Sequence, residues 1–257
     1  MEHWETLKPG GLRFVWADNL FRPGTDTFLL SSLPRLKPGL RVCDLGSGTG
    51  FLGLLLLQRQ RDLTVTGVEI QPEAANLLER AAGENDLADR LTACRGDLRD
   101  IRALLPAGGF DLVVCNPPYY PADAGNLSPS PALRAARAET ACTLEDVCQA
   151  AAWLLRWGGA CCLVHKPERL TDLLYALRSA ALEPKRLRTV ERRAGEAPSL
   201  VLLEARRGGR PGLTWEPPLI LETAEGRPAP ELDRIYFRTP DSQISNSQLP
   251  ISNFQSR

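Results

Sequence analysis

Between Arg41 and Arg207, short apolar runs rich in Val and Leu alternate with longer stretches whose apolar residues recur at helical spacing. Strands without polar alternation are covered on both faces, so the pattern predicts an α/β fold: a mostly parallel sheet with helices on both sides. Strands are expected at Arg41 to Leu45, Thr64 to Ile70, Leu91 to Arg95, Phe110 to Cys115, Ala160 to His165, Arg186 to Arg192 and Leu200 to Ala205. Helices are expected near Gly50 to Gln60, Pro72 to Asn85, Thr143 to Trp157 and Pro167 to Ala181. Pro72 and Pro167 stand where a first helical turn tolerates proline, and Gly158-Gly159 should stop the helix carrying Trp153 and Trp157. The link Arg193 to Ser199 is too short for a helix, so the last two strands should pair as an antiparallel hairpin.

Outside this alternation, the apolar run Phe28 to Leu36 predicts a helix from Thr25 to Leu36 over one end of the sheet, with His3 in a mobile terminus. Five prolines after Gly208 (Pro211, Pro217, Pro218, Pro228, Pro230) predict a surface wrap with one short strand, Leu219 to Glu222. The stretch from Pro240 on is polar, almost uncharged and aperiodic, as a disordered tail would be. The expected organisation is therefore a lead-in over 1–39, an α/β domain over 40–210, the wrap over 211–239 and the tail over 240–257.

Composition narrows the function classes. With 43% hydrophobic and 24% charged residues in 257, the chain can bury a sizeable core and is no disulfide miniprotein. Thirty-one basic residues balance 31 acidic ones, so no global field draws nucleic acid or anionic lipid and any basic surface must be local. No apolar run approaches the roughly 20 residues that span a bilayer, and the first residues, MEHWETLKPGG, lack the apolar core of a secretion signal. A cytoplasmic location with no membrane partner is expected. The seven cysteines include no C-x-x-C and mostly lie in apolar runs, which predicts reduced, buried thiols and no metal site.

The first strand runs into Asp44-Leu45-Gly46-Ser47-Gly48-Thr49-Gly50 and then directly into a helix. Such glycines allow a tight turn and bring backbone N–H groups close to a ligand. Gly48, Gly50 and Gly53 also satisfy the G-x-G-x-x-G spacing of dinucleotide sites, so an oxidoreductase using NAD has to be weighed. A carboxylate at Asp44, at the mouth of the loop, would repel a pyrophosphate and hold an ammonium group, which favours a cofactor bearing an amino acid. Glu69 ends the second strand, where an acid can take both ribose hydroxyls. Asp97 ends the third and suits the exocyclic amine of an adenine, although an acid at a strand end also serves simply as a helix cap.

On these residues the chain resembles the class I S-adenosylmethionine-dependent methyltransferases: Asp44 to Gly50 match the first family motif, Glu69 the second acidic position and Asp97 the third. The resemblance covers about Leu12 to Gly208. It implies S-adenosyl-L-methionine as cofactor, with Asp44, Gly46, Ser47, Gly48, Gly50, Glu69, Asp97 and Asn116 around it, and no metal. It also implies a Rossmann-like sheet of seven strands in the order 3-2-1-4-5-7-6, mostly parallel with one antiparallel strand.

The fourth strand leads into Asn116-Pro117-Pro118-Tyr119-Tyr120. Consecutive prolines hold the chain extended, which fixes the Asn116 amide and the Pro117 carbonyl in place. An amine conjugated to a ring or carbonyl is planar and a weak nucleophile. Two acceptors, Asn116 Oδ1 and the Pro117 carbonyl, can bind its hydrogens and favour a pyramidal nitrogen whose lone pair faces a sulfonium methyl. Tyr119 offers a ring for stacking, worth about 1 to 3 kcal/mol per base at comparable sites. Asn116, Pro117 and Tyr119 are therefore the catalytic candidates, with Pro118 and Tyr120 beside them for substrate. Arg134 and Arg137, in the long segment Pro121 to Cys142, are candidates for phosphate contacts.

The stretches Leu12 to Phe14, Asp26 to Leu30, Arg134 to Glu139 and Lys166 to Leu170, together with the N-P-P-Y-Y, resemble the bacterial tRNA adenine-N6 methyltransferases that act at position 37 of a valine tRNA. That implies a role in tRNA processing and a tRNA partner. The segment Phe21 to Asp26 is similar to the R-P-x-T-E of the release-factor glutamine methyltransferases, which keeps a glutamine side chain as the alternative acceptor; another RNA base amine, such as guanine N2, is a third. About 40 residues ahead of the first strand are fewer than the helical domain of the release-factor enzymes needs. Between Pro184 and Arg210, eight basic residues against three Glu either contact phosphates or merely protect a sheet edge.

Overall fold

The computed structural model describes residues 1–20, 22, 24–117, 119 and 142–238. An antiparallel hairpin of β1 (Glu2–Thr6) and β2 (Arg13–Ala17) comes first, then α1 (Thr25–Ser31). The alternating part follows as β3 (Arg41–Leu45), α2 (Phe51–Arg59), β4 (Thr64–Glu69), α3 (Pro72–Glu84), β5 (Leu91–Arg95), α4 (Ile101–Leu104) and β6 (Phe110–Cys115). After residue 142 come α5 (Leu144–Leu154), β7 (Leu155–His165), α6 (Leu170–Ser179), β8 (Leu182–Glu191) and β9 (Leu200–Arg207). The last elements are β10 (Thr214–Trp215), β11 (Leu219–Ile220) and α7 (Pro230–Ile235).

The strands after the hairpin form one sheet in the order β10-β8-β9-β7-β6-β3-β4-β5, with β11 also on β8. Counting its seven long strands in chain order, this is the 3-2-1-4-5-7-6 arrangement the resemblance implies. β9 runs antiparallel to both β7 and β8, as the short link before it requires. Successive residues of the inner strands enter opposite cores: Val42, Leu112, Val114, Cys162 and Val164 face one, and Cys43, Val113, Cys115, Cys161 and Leu163 face the other. Their runs are continuously apolar because both faces of the sheet are covered.

Several expectations change. The helix before Gly158-Gly159 ends at Leu154, and Trp157 lies in β7, not in the helix. Leu155, fully buried, pairs with Phe110, whereas the next register pair is Leu112 with Ala160, so residues 156–159 are accommodated as an irregularity of the strand. The first helix stops at Ser31, short of Leu36, because Leu33 precedes Pro34, whose ring disfavours helical backbone at that position. His3 is held, not mobile: its ring stacks on Trp16 at 3.9 Å and its Nε2 lies 2.7 Å from Asp18 Oδ1. The strand expected at Leu219 to Glu222 is only Leu219–Ile220, followed by a single bridge from Glu222 to Pro228. The stretch 240–257 lies outside the described residues. All seven cysteines are free thiols; Cys94 and Cys142 are half-buried and the other five buried. No helix among the described residues is long and apolar enough to cross a membrane.

The basic hairpin is largely spent on internal pairing. Arg186 lies between Glu204 and Glu216 and donates to Leu33 O, Arg188 forks onto Glu231, and Arg192 and Arg193 share Glu222. Lys185 donates to the carbonyls of Arg210 and Gly212. These contacts pin the C-terminal wrap and the turn after α1 to the sheet edge, so little of the +5 excess counted from sequence is left to meet phosphates.

Candidate active site

The glycine loop leaves β3 through three residues in left-handed backbone: Gly46 at φ 71°, Gly48 at 55° and Gly50 at 80°. Its turn is tied to the next strand, with Gly46 N and Ser47 N both donating to Val68 O, at 2.9 and 3.1 Å. A Cβ at Gly46 or Gly48 would meet no protein atom within 4 Å, so at these positions the backbone borders open space. That space is a cleft lined by Asp44, Gly46, Ser47, Gly48 and Thr49 from the loop, Phe51 and Leu52 from the helix after it, and Thr27 and Asn116 opposite. Asn116, at the end of β6, is thus brought across the sheet to the loop at the end of β3.

Two polar atoms here are buried and lack a hydrogen-bond partner among the described residues, Asp44 Oδ2 and Ser47 Oγ. Burial, and after it the neighbouring Glu69 charge, pushes the Asp44 carboxyl up to about 8. A cationic amino group would supply both the missing partner and the missing counter-charge, and the residues present therefore fit the amino-acid end of S-adenosylmethionine. Glu69 is buried too, and its two oxygens brace the loop: Oε2 accepts from Gly48 N at 2.8 Å and Oε1 from Gln71 N at 2.8 Å. Burial raises its pKa, partly opposed by these bonds. Asp97 caps a short 3-10 turn, Leu98–Asp100, through Arg99 N and pairs with the Arg99 side chain, which holds its carboxyl below the ordinary range. Its cap role is the structural one weighed from sequence, and neither Glu69 nor Asp97 lines the cleft.

At the acceptor side, Asn116 Nδ2 donates to Thr27 Oγ1 at 3.2 Å. The Tyr119 hydroxyl lies 2.6 Å from Asn116 Oδ1 and 2.7 Å from Asp26 Oδ2. The Tyr119 ring meets His165 edge-on at 5.2 Å and has Lys166 Nζ 5.6 Å from its centroid. Pro117 is buried. His165 accepts from Lys166 N through Nδ1, which leaves its ring proton on Nε2, and burial drives its pKa down to about 4, so it is a neutral ring at the strand end. Pro118, Tyr120, Arg134 and Arg137 lie outside the described residues.

Sequence reading named neither Asp26 nor Thr27 as site residues, although both stand in the Asp26 to Leu30 segment. α1 carries them to the site, and the C-terminal wrap holds α1: Phe28 stacks on Tyr236 at 4.1 Å, and Arg59 bridges Ser31 Oγ and Ile235 O.

A doubly covered sheet with a glycine loop at the tip of its first strand and an orphaned carboxylate beside it defines an S-adenosylmethionine-dependent methyltransferase. The chain belongs to the methyltransferase small domain family, whose model matches residues 12–176. It is similar to the tRNA1(Val) (adenine(37)-N6)-methyltransferase of Tolumonas auensis, 30% identical with 84% of this chain and 90% of that protein covered. The protein of the same name from Porphyromonas gingivalis is also 30% identical, over 83% of this chain and 86% of its own. Among solved structures, a predicted O-methyltransferase of Agrobacterium tumefaciens superposes with a TM-score of 0.69 at 24% identity, covering 83% of this chain and 96% of that one. A geranyl diphosphate methyltransferase reaches 0.51 at 18%, covering 71% and 76%. At those identities the likeness is of fold alone.

Proposed function

We propose that this enzyme transfers a methyl group from S-adenosylmethionine to a planar exocyclic nitrogen of an RNA base, adenine N6 at position 37 of a tRNA. The observation that carries the reading is that Asn116 lines the same cleft as the glycine loop, with its amide nitrogen engaged by Thr27. The relatives named for adenine 37 of tRNA, similar over more than four-fifths of both chains, support the choice of base and RNA.

The cofactor supplies an electrophilic methyl on a sulfonium. Asp44, Gly46, Ser47 and Gly48 would hold it, Asp44 meeting its ammonium group, while Glu69 braces the loop from behind through Gly48 N. Asn116 Oδ1 and the Pro117 carbonyl accept the two N–H bonds of the substrate amine and turn its lone pair out of the ring plane. Bound there, the cofactor would give up its methyl to the amine nitrogen and keep the electron pair of the S–CH3 bond. The methylated nitrogen is briefly cationic and loses its proton to water, so no strong protein base is needed. The Tyr119 ring stacks on the base, and Arg134, Arg137, Pro118 and Tyr120 complete the substrate side.

The test is incorporation of labelled methyl into total tRNA against a peptide release factor, followed by mass spectrometry of the nucleosides. N6-methyladenosine in tRNA is the expected product; label in the release factor alone would sink the proposal in favour of a glutamine acceptor. Asn116→Ala should keep affinity for S-adenosylhomocysteine yet lose about 100-fold or more in kcat, the range for removing one preorganised polar group at a reacting centre.

A further inference from the structure

We infer that Asp26 is a positioning residue that keeps Asn116 Oδ1 available to the substrate amine by drawing the hydrogen of the Tyr119 hydroxyl to itself. This rests on the proposed base-amine methylation and concerns the same site.

The hydroxyl has a single hydrogen and, among the described residues, stands within bonding distance of two acceptors, Asn116 Oδ1 at 2.6 Å and Asp26 Oδ2 at 2.7 Å. When that hydrogen points at Asn116, the oxygen that should receive the substrate N–H is already engaged by the protein. When it points at Asp26, the bond is to a carboxylate and about twice as strong as one between neutral groups. Asn116 Oδ1 then faces the phenol oxygen with no hydrogen between them, and a new donor is welcome there. The substrate amine is such a donor. Asn116 cannot answer by turning its nitrogen toward Tyr119 without giving up the bond that Nδ2 makes to Thr27 Oγ1. Lys166 and His165, on the neighbouring strand end, touch the face and edge of the Tyr119 ring, so they steady the ring while Asp26 and Asn116 compete for its hydroxyl hydrogen.

A plain structural brace between α1 and the Asn116 segment would use the same Asp26 to Tyr119 bond, but the two ideas differ in the double variant. Asp26→Asn offers a neutral and weaker acceptor, so the hydroxyl should swing back to Asn116 and kcat on tRNA should fall about tenfold, the equivalent of one such hydrogen bond. The KM for S-adenosylmethionine should stay within about twofold, since Asp26 does not line the cofactor cleft. Adding Tyr119→Phe keeps the ring but removes the competing hydroxyl. The double variant should then be at least about threefold faster than Asp26→Asn alone, whereas a broken brace would leave it equally slow or slower.

Affinity for S-adenosylhomocysteine, measured on each variant, reports folding; if Asp26→Asn loses it, Asp26→Ser takes its place in the same comparison. Wild-type enzyme that methylates tRNA, with the Asp26 variant at full speed or not rescued by Tyr119→Phe, overturns this inference and leaves the proposed function standing. Wild-type enzyme that methylates no RNA overturns both.

Discussion

Replacing Asp44 by Asn keeps the shape of the side chain and removes its charge, and the consequences can be worked through with pH. The folded carboxyl sits near 8, against an ordinary 3.8, because it is buried and lies beside Glu69. Its pKa is raised, so the folded protein holds a proton that the unfolded chain has released above pH 4. Its contribution to stability is therefore whole below pH 4 and is lost progressively as pH rises toward 8. At about 1.36 kcal/mol per pH unit, the loss reaches up to about 4 kcal/mol by pH 7. Asn carries no such slope. It pays instead a constant penalty of about 1 to 3 kcal/mol if its NH2 occupies the place of Oδ2, which has no partner.

The expected signature is a crossing. Without ligand, Asp44→Asn should be less stable than wild type near pH 4.5 and at least as stable near pH 7.5. For a chain of this size a swing of 4 kcal/mol corresponds to roughly 8 to 16 °C in Tm difference. Thermal unfolding from pH 4.5 to 8, repeated with S-adenosylhomocysteine, reads both halves. The ligand's ammonium should bind the ionised carboxylate, so wild-type affinity should climb up to about tenfold per pH unit between 5 and 7 while the variant stays flat and weak. Parallel stability curves for the two proteins, or an Asn variant that binds as tightly as wild type with the same pH dependence, would refute the assignment of Asp44 as the carboxylate that meets the cofactor.

Two further substitutions separate stability from binding. Gly48→Ala should cost only about 1 to 2 kcal/mol in thermal unfolding, the penalty of left-handed backbone, because a Cβ there meets no protein atom. Yet it should abolish measurable S-adenosylhomocysteine binding by standing in the cleft; titration calorimetry checks this. Tyr236→Ala removes the ring stacked on Phe28 and should lower stability by about 2 kcal/mol. It should also slow kcat on tRNA more than it raises the KM for cofactor, because it loosens the helix that carries Asp26 and Thr27; steady-state kinetics separate the two.

The alternating order of elements, the two-faced burial of the inner strands and the loop from Asp44 to Gly50 were legible because each depends on local chemistry: period, proline and glycine positions, and runs of β-branched and aliphatic residues. The β1–β2 hairpin was legible in principle too, from Arg13-Phe14-Val15-Trp16 and the Lys8-Pro9-Gly10-Gly11 turn, but its charged first strand hid the alternation. The boundary at Leu154 was not legible, because Leu155 joins the sheet through a pairing with Phe110, 45 residues away in sequence.

The same division runs through the site. Sequence alone determined that Asp44, the glycines and the Asn116 to Tyr119 segment would stand at strand tips, since strand ends and turns are written in neighbouring residues. Only the tertiary structure decided what those groups touch: that Asp44 Oδ2 is left without a partner, that Glu69 spends its oxygens on Gly48 and Gln71, and that Thr27 and Asp26 reach Asn116 and Tyr119. Except for Glu69 with Gln71, two positions away, those contacts join residues about 20 to 90 positions apart through side chains whose hydrogen-bonding capacity is fixed by type, while their partners are set by how the elements pack.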